Sequence, residues 1–251
     1  MSRLSVVIIT RNEEANLGRC LESVAFADEV IVVDSDSTDR TEEISVSRGA
    51  QFVTIEWAGF GPAKQAGVDR ATGEWVLSID ADEAVPADLA EEITRVIADP
   101  DSLDGYYLPR RTQFLGRWIG HCGWYPDYVL RLFRRERGRF DGAVVHEKVV
   151  VDGRVGRLKH DLLHYSYPTL EEYFVKFNRY TTMGAEQAHA AGKRAGWFAI
   201  AIKPVATFFT HYVSRQGFRD GLEGFLISTL SSAAVLVKYA KLRHLRRQQE
   251  S

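Results

Sequence analysis

The chain has 251 residues, 45% of them hydrophobic, which is enough for one sizeable α/β domain with an appendage. Its 32 basic and 34 acidic residues leave a formal net charge of −2, which argues against non-specific nucleic-acid binding by the whole molecule. Cys20 and Cys122 lack metal-ligand spacing and suit a reducing compartment, and the first residues run straight into an apolar segment with no signal-peptide pattern.

Residues 4–9 (LSVVII) form an uninterrupted apolar run that predicts a first buried strand. Asn12 reads as the N-cap of the following helix, with Glu13 and Glu14 where the helix dipole favours acids. Leu17, Leu21 and Val24 supply that helix with an apolar stripe, and Cys20 falls on its buried face. Residues 29–34 (EVIVVD) predict a second strand. Ser37-Thr38-Asp39 then leads into a second helix carrying Glu42 and Glu43 in its first turn. Residues 51–56 predict a third strand, and Gly61-Pro62 opens a third helix with proline where no N–H is needed. Trp75, Val76, Leu77 and Ile79 make a fourth strand after the break at Gly73. This alternation predicts a mostly parallel, Rossmann-like α/β sheet with helices on both faces.

The fourth strand ends in Asp80-Ala81-Asp82-Glu83. Carboxylates so close repel unless something positive lies between them. A divalent cation bound to substrate phosphates resolves that repulsion, since Mg²⁺ takes one or two carboxylates plus phosphate oxygens. Ligands of open α/β sheets bind at this same edge. A solvated acidic turn would carry the same letters, so the neighbouring strand ends must decide. The first strand runs into Thr10-Arg11-Asn12-Glu13 and the second into Asp34-Ser35-Asp36. A nucleotide lying across them would find carboxylates for a base N–H and for ribose hydroxyls. Glycine-rich dinucleotide and P-loop fingerprints are both missing after the first strand. Asp36 and Asp39 also suit turn and capping chemistry, whereas Asp34 closes an apolar strand and shows no capping role.

Taken in order, VVIITRNEE, IVVDSDSTD and AKQAGVDRATGEWVLSIDADE resemble the inverting family 2 glycosyltransferases of the GT-A fold. The resemblance runs from residue 4 to about residue 83 and rests on an ordered series of motifs. It implies a UDP-sugar donor and a divalent metal, Mg²⁺ or Mn²⁺, held through a D-x-D motif. Carried over residue by residue, Thr10 and Glu13, with Asn12 between them, would sit at the nucleoside. Asp34 would face the uracil or ribose. Asp80 and Asp82, flanking Ala81, would meet the ribose, the diphosphate and the metal. Many members carry a second aspartate where this chain has Ser35, so Asp34 and Asp36 both stay open as the base contact. Lys64 lies where members tend to carry a basic or amide residue. It is either a point charge for the diphosphate or a solvated surface lysine.

Beyond Pro86, Leu89, Ile93, Val96 and Ile97 make an amphipathic helix, and residues 106–109 and 128–133 read as strands. The aromatic, glycine-bearing segment QFLGRWIGHCGWYPD between them suits either the apolar faces of sugars or a packed lid. An inverting transfer needs one base to deprotonate the acceptor hydroxyl. The similar lipopolysaccharide-core transferases carry a His-Glu pair where this chain has His146-Glu147. That likeness implies Glu147 as the base and His146 steadying diphosphate or metal. Asp127 and Asp141 remain rivals, and an ordinary exposed H-E-K on a strand remains the bland alternative. Arg131, Arg134 and Arg135 are candidates for an acceptor phosphate or the leaving diphosphate.

Thr169-Leu170-Glu171-Glu172 opens a further helix with a capping-box pattern, and residues 197–213 and 222–237 are apolar stretches at or below the length of a membrane span. With Lys238, Lys241, Arg243, Arg246 and Arg247 after them, they read as interfacial helices drawn to anionic lipid; a packed or dimer-forming helical subdomain is the alternative. The expected division is residues 1–104 for the nucleotide sugar, 105–167 for the acceptor, and 168–251 for a membrane-associating helical extension. The tail resembles that of bacterial enzymes adding a hexose to an inner-core heptose of lipopolysaccharide, of the heptose β-1,4-glucosyltransferase type. That implies a hexose, glucose above all, moved from UDP onto a lipid-linked saccharide at the cytoplasmic face of the inner membrane. A sugar-nucleotide pyrophosphorylase would need a glycine-rich basic loop where TRNEE stands. A non-catalytic binding protein would have little use for Asp80, Asp82 and Glu147 together.

Overall fold

The computed structural model describes residues 3–141 and 147–250. Its first half follows the apolar runs: β1 (Leu4–Thr10), α1 (Leu17–Ser23), β2 (Glu29–Asp34), α2 (Thr41–Ser47), β3 (Gln51–Thr54), α3 (Phe60–Val68) and β4 (Trp75–Asp80). The strands lie in the order β3-β2-β1-β4, all parallel. Residues alternate between the two faces along β1. Leu4, Val6 and Ile8 pack with Leu17, Cys20 and Leu21 of α1, while Val7 packs on the other side with Val68 of α3. Both faces are therefore covered, as a parallel sheet requires.

Asn12 is not a helix N-cap. It sits at φ +56°, a left-handed conformation that asparagine tolerates, and α1 begins only after Asn16. The physical reason is a competing use of the side chain. Asn12 Oδ1 accepts from the Thr38 N–H at 2.8 Å, and the Asn12 N–H donates to Ser37 Oγ at 2.7 Å. The residue stitches together the loops that leave β1 and β2.

After β4 come β5 (Glu83–Ala84), α4 (Ala87–Ala98), β6 (Gly105–Phe114), β7 (Arg117–Trp118), β8 (Asp127–Arg134), β9 (Gly138–Phe140), β10 (Val149–Val151), β11 (Val155–Arg157) and β12 (Leu162–Tyr167). The sheet continues as β4-β8-β6-β12-β5, with β8 antiparallel to both β4 and β6. It is thus parallel through four strands and mixed beyond them.

The chain divides into two compact units: residues up to 110 with 127–164, and 111–126 with residues from 165 onward. The second unit is built on α5 (Leu170–Ala190), α6 (Trp197–Phe209) and α7 (Gly221–Glu250). The Thr169 side chain accepts from the Glu172 N–H at the start of α5, as the capping box predicts. A π-helical turn, Thr210–Ser214, and a 3-10 turn, Gly217–Asp220, join α6 to α7. The aromatic segment after β6 belongs to this unit. Phe114, Ile119 and Cys122 are fully buried there with Tyr173 and Ile227. Among the described residues, one helical run, 217–248, is long and apolar enough to cross a membrane by length and composition.

Candidate active site

Parallel pairing aligns the carboxyl ends of three strands. Thr10 lies opposite Asp34, and Ile9 lies opposite Asp80, so the residues expected at a nucleotide converge on one sheet edge. Thr10 and Asp34 are both buried there. Asp34 does take a turn role after all. Its Oδ1 accepts from Thr10 Oγ1 at 2.9 Å and Ser37 Oγ at 2.5 Å, and its Oδ2 accepts from the Ser37 N–H at 2.8 Å. A carboxylate ending an apolar strand must be satisfied by the loop that follows it. Asp36 is exposed in that loop, at φ +56°. Glu13 is half-buried; its N–H donates to Thr41 Oγ1, and its Oε2 accepts from Asn16 Nδ2. Asp39 ties the same two loops, accepting from the Glu14 N–H and from Thr41.

Lys64 is the departure from surface expectation. It is only 2% exposed, so the solvated reading does not hold. Its ammonium lies 2.9 Å from Asp80 Oδ1 and 2.7 Å from Glu147 Oε1, the latter on a residue 83 positions from Lys64 in sequence. The other Asp80 oxygen faces Arg131 Nη2 at 2.5 Å. Arg131 also reaches Glu83 at 3.0 Å, and Glu83 in turn holds Arg110 at 3.2 Å. Arg110 then meets Asp127 at 2.5 Å. Carboxylates and cations thus alternate from Glu147 through Lys64, Asp80, Arg131, Glu83 and Arg110 to Asp127. Such alternation is how several buried charges become tolerable together.

Burial pushes the Asp80 carboxyl up, but Arg131 and Lys64 outweigh it and hold the group well below the usual carboxylate range. Asp80 is therefore a carboxylate at any physiological pH. Beneath it, burial and then Glu83, Asp82 and Asp80 push the Cys20 thiol well above its ordinary value. Cys20 remains a neutral thiol, without thiolate chemistry.

Glu83 is fully buried and accepts from the Asp80 N–H at 2.9 Å. It organises the turn that carries Ala81, which is buried, and Asp82, which is half-buried. Asp82 Oδ2 lies 3.3 Å from His164 Nε2 on β12. Asp127 and Asp141, the rival bases, differ from Glu147 in setting: Asp127 is engaged by Arg110, and Asp141 is exposed. His146 lies outside the described residues. Arg134 and Arg135 are at the wrong end of β4. Arg134 pairs with Glu74, and Arg135 donates to the Gly73 carbonyl, at the strand's start rather than at the acidic turn.

Arg110 and His164 were not singled out by their sequence context. Only the pairing of antiparallel strands, Arg110 opposite Asp127 and His164 opposite Glu83, brings them in. A depression of about 740 Å³ at residues 21–30 and 47–51 lies at the opposite sheet edge, away from this convergence of charge. Among the described residues, no group of three or more His, Cys, Asp and Glu side chains could hold a metal ion by itself. Asp82 with His164 supplies two donors, so a cation here fits only with substrate oxygens and water completing its shell.

Comparison with known proteins agrees with this architecture. The sequence profile described as "Glycosyl transferase family 2" matches residues 5–146. The chain is 33% identical over 251 aligned residues to the "Lipopolysaccharide core biosynthesis glycosyltransferase LpsC" of Rhizobium meliloti (strain 1021), spanning 95% of this chain and 91% of that protein. It is 30% identical to an uncharacterized glycosyltransferase of Rickettsia typhi, over 98% of this chain and 88% of that one. Among solved structures, S. aureus TarS matches over 98% of this chain and 92% of its own, with a TM-score of 0.50. At 16% identity that likeness is one of fold.

Proposed function

The chain belongs to glycosyl transferase family 2, and from that premise we propose that it moves a hexose, glucose above all, from UDP to a saccharide acceptor with inversion at the anomeric carbon. The observation that carries this reading is the junction of Glu147, Lys64 and Asp80, a carboxylate base candidate held by one buried ammonium beside the strand end where nucleotides bind.

In the proposed reaction Glu147 takes the proton of the acceptor hydroxyl as that oxygen attacks the anomeric carbon from the face opposite UDP. The sugar–phosphate bond breaks, and its electron pair leaves with the diphosphate. Lys64, paired with Glu147 and Asp80, turns to the donor diphosphate when it arrives and so releases Glu147 to act as base. Thr10, Asn12, Glu13, Asp34 and Asp36 surround the nucleoside, with Asp34 acting through a carboxylate already oriented by Thr10 and Ser37. Asp80 and Asp82, flanking Ala81, face the ribose, the diphosphate and a divalent cation, Mg²⁺ or Mn²⁺. When bound, that cation offsets negative charge on the departing diphosphate. The acceptor we infer is the inner core of lipopolysaccharide or another lipid-linked glycan, because the LpsC relative is described by core biosynthesis and the two chains align over nearly their full lengths.

The test is turnover of a panel of UDP-hexoses on a heptose-bearing core acceptor, with the anomeric configuration of the product read by NMR. Glu147→Gln should bind UDP-sugar normally and transfer roughly 10²–10⁴-fold more slowly, the usual worth of a positioned base. If Asp127→Asn or Asp141→Asn stops transfer while Glu147→Gln does not, the base is that aspartate instead.

A further inference from the structure

We propose that the helical unit carries a binding site for one phospholipid molecule, its phosphate held at Lys203, Lys238 and Tyr239 and the end of its chain in the cavity between α5 and α7. Such binding is independent of the proposed transfer reaction and is measurable without donor or acceptor.

A cavity of about 230 Å³ opens in the seam between α5 and α7, walled by Tyr173, Phe177, Tyr180, Ala234 and Val235, with Lys238 beside them. Tyr173 is buried and Tyr180 is exposed, so the cavity runs inward from the surface. Its volume lies below the range of about 300–1,000 Å³ usual for a whole drug-sized ligand, and it suits the end of a hydrocarbon chain. The same seam continues into a second depression of about 350 Å³ beside Ala185, Ala240 and Leu245. Apolar depressions in series along one groove fit a linear chain better than a compact ring.

Cations gather at the same place. Lys238 is half-buried, and its stem lies along α5, where a Cβ on Gly184 would meet Lys238 Cδ at 3.3 Å and Nζ at 3.6 Å. The next residue, Tyr239, accepts from Lys203 Nζ at 2.7 Å through its hydroxyl. That bond, and after it the charges of Lys203, Lys238 and Lys193, hold the Tyr239 hydroxyl below its ordinary value. Three ammonium groups therefore bear on one hydroxyl, which still has its own O–H to donate. From residue 187 to residue 249 the chain carries ten lysines and arginines against two acids, Asp220 and Glu223. Both acids are engaged elsewhere: Asp220 accepts from the Gly120 and His121 N–H groups, and Glu223 faces Arg117. Glu186 lines the second depression, beside Lys241 and His244. Among the described residues, no carboxylate forms an ion pair with Lys193, Lys203 or Lys238.

Like charges held together without a counter-charge repel, and an anion between them relieves that repulsion. Free phosphate satisfies the ammonium groups and leaves the cavity open to water. A neutral amphiphile fills the cavity and leaves the cations uncompensated. A phospholipid does both, because Lys238 belongs to the cavity wall and to the cationic cluster alike.

The experiment titrates the full chain calorimetrically with hexyl, octyl and decyl phosphate below their micelle-forming concentrations, with inorganic phosphate and neutral decyl maltoside as comparisons. The expected result is saturable binding of one alkyl phosphate per chain, tightening along the series by up to about fourfold for each methylene that enters the cavity. Decyl phosphate should bind at least about tenfold more tightly than either inorganic phosphate or decyl maltoside, since each lacks one half of the recognition. Lys203→Gln with Lys238→Gln should remove the preference for phosphate over maltoside. Val235→Trp, which fills the cavity, should remove the dependence on chain length, and Arg243→Gln should change neither. Melting curves check that the variants fold, and the series on the unaltered chain decides the matter without them. Inorganic phosphate bound as tightly as decyl phosphate overturns the proposal by making this a site for a free anion. Decyl maltoside bound as tightly overturns it by making the cavity an unselective apolar cleft. An equal loss in Arg243→Gln overturns it in favour of diffuse charge attraction. Absence of saturable binding overturns it as well, and analytical ultracentrifugation then tells whether a second copy of the chain covers the seam.

Discussion

Lys64 is where a single side chain matters most. A buried ammonium between two carboxylates is stable only because each charge compensates another, and removing the middle one leaves Asp80 and Glu147 facing each other without it. Lys64→Met should cost about 3 kcal/mol of folding stability, at the lower end for a broken buried pair because both acids keep some solvent contact. Urea unfolding measures this directly, and a loss under about 1 kcal/mol would show that water replaces the lysine without difficulty. Transfer should fall as well, since the same residue is proposed to receive the diphosphate. The sequence left Lys64 open between a surface and a site residue for a physical reason. Its burial depends on Glu147, far along the chain, and no local pattern reports such a partner. Asp34 illustrates the converse. Its place at a strand end was legible, but its bonds to Thr10 and Ser37 depend on how the following loop turns back.

At the scale of elements, α3 is positioned by close approach to the sheet. A Cβ on Gly67 would come within 3.0 Å of Val33 Cγ2 and closer still to Val7 Cγ1. Gly67→Ala should therefore push α3 outward and cost about 1–3 kcal/mol, although alanine is the better helix former. Because Lys64 is carried one turn earlier on the same helix, the loss in sugar transfer should exceed what the fraction unfolded explains. Measuring both on one preparation separates packing from positioning, and unchanged stability would mean the valines repack without strain. The same contrast explains which elements could be read from sequence. β1, β2 and β4 are long apolar runs buried on both faces, so periodicity and length identify them. β5, β7, β9, β10 and β11 have two or three residues each and no periodicity to detect. Yet β5 and β12, with β6 and β8, bring Glu83, His164, Arg110 and Arg131 to the site. The carboxylates were visible in the sequence; most of their cations arrive by antiparallel register.

At the scale of the whole molecule, the helical unit presents an exposed apolar face. On α6, Trp197, Phe198, Ile202, Val205 and Phe209 are all exposed, and Phe198, Ile202, Val205 and Phe209 recur at helical spacing along one face. Leu222 and Phe225 of α7 are exposed too. The basic tail is less available than its composition implies. Lys241 Nζ donates to Asn178 Oδ1 and to the Thr181 and Thr182 hydroxyls, and Arg246 donates to the Gly192 carbonyl. With those two engaged within the chain, Lys238, Arg243 and Arg247 remain for headgroups, each worth about 1 kcal/mol near an anionic surface. Large apolar side chains contribute about 1.5–3 kcal/mol each when fully buried, so even partial insertion of the α6 face outweighs the remaining charges. We therefore expect the full chain to sediment with lipid vesicles, somewhat more with anionic than with neutral ones. Most of that binding should persist when salt is raised to about 0.5 M, where surface charge is screened within a few ångströms. Changing Trp197→Ser, Phe198→Ser and Phe209→Ser together should release the protein, whereas Arg243→Gln with Arg247→Gln should only weaken binding at low salt. Loss of all binding on adding salt would assign attachment to the basic tail. A protein that ignores vesicles and is dimeric by analytical ultracentrifugation would make the α6 face a contact between two copies of the chain.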